Sequence, residues 1–117
     1  HLGYAMLEHG DNLTEATRLI AKASALRPDS AAITDSLGWA FYLRGQPNES
    51  IPLLERAVAA DPTEAAVGEH LGDAYWAAGR RVDARYAWRA ALIQSDGPDD
   101  RKRIEDKIAN GPPARAK

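Results

Sequence analysis

Three groups of side chains in this sequence have the types and spacing that chemistry could use. Glu69, His70 and Asp73 are close neighbours on one helical stretch, and carboxylates beside an imidazole can serve acid–base catalysis or metal binding. Arg81, Arg85 and Arg89 recur at i, i+4 and i+8 with Arg80 alongside, and Arg101, Lys102 and Arg103 follow; such a stripe can neutralise phosphates. Tyr4, Trp39, Tyr42 and Trp76 form an aromatic set, the residue types that anchor protein interfaces.

The first two groups weaken on inspection. Metal ligands on one helix usually come as a His pair at i, i+4 or need a second contributing element. No nucleophile constellation, phosphate loop or zinc spacing accompanies Glu69, His70 and Asp73, and His70 reads as a plain surface histidine. His1 and His9 carry no signal. No catalysis, cofactor or metal is therefore expected. The arginines have no interleaved aromatics and are balanced by Asp83, Asp96, Asp99 and Asp100, the pattern of a solvated, ion-paired face. A formal net charge of −2 gives no global attraction to nucleic acid or anionic lipid, so neither is the expected partner. The absence of cysteine excludes disulfides and thiol chemistry and leaves the compartment unread. No apolar run approaches the roughly 20 residues that a membrane-crossing helix needs.

The elements that position these residues repeat. From Ala31 to Glu64, Ile33, Leu37, Gly38 and Phe41 mark one face of a helix. Gly45-Gln46-Pro47-Asn48 is a turn cluster, and Ser50, Leu54 and Ala57 mark the buried face of a second helix before Asp61-Pro62. Displaced by 34 residues, Leu37-Gly38 becomes Leu71-Gly72, Phe41 becomes Tyr75, Gly45 becomes Gly79, Ser50 becomes Ala84, Leu54 becomes Trp88 and Ala57 becomes Ala91. Backward, Ala16, Ile20, Ala23 and Pro28 fall at the second-helix positions, and Leu2-Gly3, Met6 and Gly10 match the first helix at an offset of 35. The glycines leave room for a close helix approach. Small residues let the second helix nest, and Ile20, Leu54 and Trp88 fill the space between repeats.

This pattern closely resembles the tetratricopeptide repeat (TPR), in which Leu-Gly, an aromatic, small and bulky residues and a proline recur in about 34 positions. It is similar to the C-terminal repeats of larger bacterial TPR proteins, in which stretches like DSLGWAFYLRG and HLGDAYWAAGRR follow one another. It departs from the pattern where the leading Trp is replaced by Thr34 and Gly68, and where Asp96 stands for the third terminal Pro. The resemblance implies an all-α fold: a right-handed α-solenoid of antiparallel helix pairs with a C-terminal capping helix. The expected repeats span about 1–30, 31–64 and 65–97, with a polar capping helix over about 98–110 and a disordered tail over 111–117.

Within that frame, Thr14 to Ala25 forms a helix and Asp29 or Ser30 caps the next, which runs to Leu43. Pro52 demands either a start at Asn48 or a kink. Pro62 reads as the first residue of a helix ending at Ala78, and Arg81 to Gln94 follows. A last helix opens at Pro98 or Asp99 and carries Ile104 and Ile108 on one face with charges elsewhere. The chain opens partway through a helix, so it reads as a piece of a longer protein.

Helical phase places Ala32, Asp35, Trp39, Tyr42 and Leu43 opposite the core face. In TPR proteins that side lines a concave groove for a partner segment, which implies a non-catalytic protein-interaction scaffold. Three rows are expected across it: Tyr4, Trp39 and Asp73; Leu7, Tyr42 and Trp76; and Asp35 with Glu69, flanked by Glu8 and His70. An aromatic groove with an acidic end suits an apolar peptide carrying Lys or Arg. The TPR subtype that clamps a terminal carboxylate uses Lys, Arg and Asn where this chain has Tyr4, Ser36, Ala66 and His70, so that activity is not expected. A second reading makes the segment the structural end of a longer array, with Tyr4, Met6 and Leu7 packing against its own chain or a second copy.

Overall fold

A computed structural model describes residues 12–113, which form six helices and no strand. These are α1 (Leu13–Leu26), α2 (Ala31–Leu43), α3 (Pro47–Ala60), α4 (Ala65–Ala77), α5 (Arg81–Gln94) and α6 (Pro98–Asn110). Each packs on the next in the chain, and α2 also touches α4. The result is an all-α helical-repeat solenoid, as the 34-residue period requires. Tyr4 and Leu7, with the rest of the expected first helix, lie outside the described residues.

The turns follow from local chemistry. Ser30 caps α2, its Oγ accepting the Ile33 N–H at 3.2 Å. Gly45 and Gly79 close α2 and α4 at φ of 74° and 82°, the left-handed conformation in which a Cβ is strained. Helix α3 starts at Pro47, one residue before the expected Asn48, and holds Pro52 as an exposed interior proline. The sequence reading of Asp61-Pro62 as a helix start needs correction: α4 begins at Ala65 with Glu64 at its N-cap. Asp61 instead builds a turn, accepting the Thr63 hydroxyl at 2.8 Å, and Pro62 lies inside that turn.

The core positions fall where the period puts them. Ala16, Ser50, Ala84, Leu54, Ala57 and Trp88 are fully buried, and Ala91 nearly so. Ser50 remains polar because its hydroxyl donates to the Gly38 carbonyl at 2.7 Å, which lies buried in the same helix crossing. The two glycines of the Leu-Gly pairs have a steric cause. A Cβ on Gly38 would lie 2.7 Å from Leu54 Cδ2, and one on Gly72 would lie 2.3 Å from Trp88 Cδ1. We expect Gly72→Ala to cost about 1–3 kcal/mol in urea unfolding, because Trp88 has no free space into which it can retreat. An unchanged midpoint would show that the two helices can separate there at no cost.

Gly111, expected to open a disordered tail over 111–117, is instead held against the fold. Gly111 is buried, with φ of 78°, and a Cβ there would come within 2.5 Å of Trp76. Residues 114–117 lie outside the described residues.

Candidate functional site

The expected groove residues that the structure describes lie on α2 and α4 and fall into two environments. The first is an aromatic stack. Trp39 on α2 lies against Tyr42 one turn on, with centroids 4.5 Å apart, and against His70 on α4 at 4.1 Å. His70 Nδ1 also bonds Asp35 Oδ1 at 2.9 Å, so α2 and α4 are joined by a ring stack and a polar contact. Trp39, Asp35 and His70 stay half-buried, whereas Tyr42 is only 8% exposed. Its expected place opposite the core is thus corrected: the ring turns inward beneath Trp39 and joins the main apolar cluster.

The second environment is a buried ion-pair seam under α6. Glu69 and Asp73 were expected to give the groove an acidic end, but they are 6% and 5% exposed. Lys107 Nζ bonds Glu69 Oε2 at 2.7 Å and both Asp73 carboxylate oxygens at 3.0 Å. Arg103 takes Glu69 in a two-pronged pair at 2.8 and 2.7 Å, and Trp88 Nε1 donates to Asp73 Oδ1 at 3.1 Å. The acidic end is therefore neutralised within the chain. Burial alone would raise the Glu69 carboxyl, but the bonds from Arg103 and Lys107 outweigh it and hold it at about 2. Burial pushes the Asp73 carboxyl above its ordinary value despite Lys107.

Trp76 belongs to this second environment. Its ring tilts against Trp88 with centroids 5.6 Å apart and carries the guanidinium groups of Arg81 and Arg85 over it at 4.5 and 5.2 Å. Arg85 also donates to the Ile108 carbonyl at 3.0 Å, and Gly111 packs on the ring edge. Trp76 thus clasps α5 to the end of α6. Two of the three arginines in the basic stripe, Arg81 and Arg85, are committed to this clasp. The acid–base grouping is likewise dispersed: His70 pairs with Asp35, while Glu69 and Asp73 pair with Lys107.

The helix phase, the 34-residue spacing and the glycine–bulky crossings now converge with the comparisons. The sequence pattern described as "Tetratricopeptide repeat" matches residues 2–65 and again 36–101. The chain belongs to the tetratricopeptide repeat family. It is 44% identical over 45 residues to a TPR repeat-containing protein of Pseudomonas aeruginosa, a match covering 38% of this chain and 8% of that relative. A solved structure titled "MamA MSR-1 C2" superposes with a TM-score of 0.78 at 25% identity, covering 95% of this chain and 62% of that one. The chain thus spans a small part of its curated relative and under two thirds of the solved one.

The TPR frame also shows what the sequence reading missed. Lys107 was counted among the solvated charges of the capping helix, yet it is 8% exposed and holds two carboxylates. A signal existed. Arg103 and Lys107 stand 34 residues after Glu69 and Asp73, one TPR period on, with the opposite charge. Helix α6 packs on α5 as α4 packs on α3, so residues one period apart become neighbours across the seam.

Proposed function

We infer that this TPR domain is a non-catalytic scaffold that holds a partner polypeptide against the open side of α2 and α4. TPR folds serve generally as protein-interaction scaffolds, and Trp39 is the observation that supports a specific site. Its ring is half-buried and held between Tyr42 and His70, and Ala32 and Ala66 are exposed near the N-terminal ends of the same two helices. The uncovered edge of a fixed ring gives contact area at little ordering cost, the character of a hot spot. Asp35 and His70 supply hydrogen-bonding atoms beside it.

The pairing of Glu69 and Asp73 with Lys107 and Arg103 changes the ligand this face suits. The partner segment is apolar and docks on Trp39, with less call for Lys or Arg than the bare sequence suggested. Tyr42 supports Trp39 from the core side.

The test is selection of peptides from a random phage library on the folded chain, followed by affinity measurements against Trp39→Ala. Loss of about 2 kcal/mol or more of binding by a variant with unchanged circular dichroism supports the site. Equal binding by wild type and variant removes Trp39 from the ligand face.

A further inference from the structure

Helix α5 presents an apolar stripe that the solenoid does not use. Val82, Tyr86 and Ile93 are 71%, 70% and 78% exposed, and exposed Arg89 lies between the last two. The repeat supplies its own control. One period earlier the same positions hold Asn48, Pro52, Glu55 and Ala59, and one period before that Thr14, Arg18, Ala21 and Ala25, all exposed. Stacking therefore asks for no large apolar side chain there, and α5 carries three where its siblings carry Asn, Thr, Pro, Arg and alanine. Arg89 is also the one arginine of its run not drawn into the Trp76 clasp, and it has no ion pair or ring contact among the described residues.

The order of side-chain types along this stripe, aliphatic, aromatic, cationic and aliphatic, makes it complementary to a second copy of itself. Positions 82, 86, 89 and 93 are separated by four, three and four residues, an order that reads the same in both directions. Two such helices packed antiparallel about a two-fold axis passing between residues 87 and 88 bring Val82 against Ile93 of the other copy. Tyr86 meets Arg89 in the same way, and each contact occurs twice. The outer pairs are aliphatic, and the inner pairs set a guanidinium on a phenol ring. Exposed Ala90 flanks the stripe on one side and permits close approach of the helices. Asp83, at the edge, is already neutralised by Arg80 at 2.9 Å.

We propose that a second copy of this chain covers the α5 stripe, forming a two-fold dimer through antiparallel α5 helices. This face lies on the opposite helix row from Trp39, so dimerisation leaves the proposed peptide site open and yields a bivalent scaffold. Four side chains per copy make a small interface, below the roughly 800 Å² per partner of stable complexes, so the dimer dissociates on dilution.

Sedimentation of the full chain over a concentration series is expected to show a reversible monomer–dimer equilibrium, and Val82→Lys with Ile93→Lys to raise the dissociation constant about tenfold or more. Because this sequence has no cysteine, register can be tested directly. Val82→Cys with Ile93→Cys should form a covalent dimer under mild oxidation. On one helix these positions are about 16 Å apart, beyond the reach of a disulfide within one chain. Tyr86→Cys with Ile93→Cys places no cysteine opposite another and should stay uncrosslinked. A wild type that remains monomeric throughout, a dimer that survives the lysine pair, or equal crosslinking of the two cysteine pairs would each overturn the proposal.

Discussion

Trp88→Ala is expected to lower the free energy of unfolding by about 3–5 kcal/mol, the largest effect of any single truncation in the described chain. Trp88 is fully buried, fills the notch left by Gly72, and packs against Trp76. Its removal opens a cavity at the junction of α4, α5 and α6. It also strips Asp73 of a donor at 3.1 Å, leaving Lys107 as the partner of a buried carboxylate. Trp88→Phe separates the two contributions, since it keeps most of the ring and loses the N–H. Its cost should fall near 1–3 kcal/mol. Urea melts followed by circular dichroism check both. A Phe variant as unstable as the Ala variant would assign the whole effect to the hydrogen bond.

Lys107→Met should be nearly as damaging at neutral pH. Removing one member of a buried ion pair typically costs about 3–5 kcal/mol, because the remaining charge is stranded away from water. Here Glu69 keeps Arg103, but Asp73 keeps only the neutral Trp88 N–H. Methionine retains the length of the aliphatic stem, so the loss reports charge rather than packing. The effect is pH-dependent. In the wild type Glu69 is held at about 2, below its ordinary 4.5, so its contribution is complete above about 4.5 and fades as pH falls toward 2. Asp73 has a raised carboxyl, so its ionisation opposes folding, and protonation on acidification relieves that cost. Without Lys107 this second behaviour dominates. The gap between wild type and Lys107→Met should therefore narrow as pH falls toward the ordinary Asp73 value of 3.8, and Asp73→Asn added to Lys107→Met should recover part of the loss at pH 7. A pH-independent gap would mean that the Lys107 stem, not its ammonium, holds α6.

Much of the architecture could be read by counting. Gly38 and Gly72, Ser50, Leu54 and Trp88 each occupy the place the period assigns, because one stacking geometry imposes one set of spatial demands on every repeat. Two kinds of feature escaped. Asp61-Pro62 has the composition of a helix start, but the Thr63 hydroxyl engages Asp61 and the chain turns before α4 begins. Local propensity does not register that competitor. Glu69, Asp73 and Lys107 look like solvated residues, since helical phase sorts charges outward unless a partner is known. Their partners lie 34 to 38 residues away. Only carrying the period into the last helix, where the pattern of apolar residues has faded, brings acid and base together. Trp76 poses a related problem: a groove aromatic and a clasp aromatic share a wheel position, and only Arg81, Arg85 and Gly111 show the clasp.

The two junctions along the open row are built from different materials. Between α2 and α4 an imidazole supplies the polar fastening, bonded to Asp35 and lying flat on Trp39. Between α4 and α6 it is an arginine and a lysine seated on two sunken carboxylates. Pulled from both ends, or watched by amide exchange, the molecule should part at the imidazole joint first. The last three helices would then persist as one stiff block, and curvature would adjust to a ligand where Trp39 waits for it.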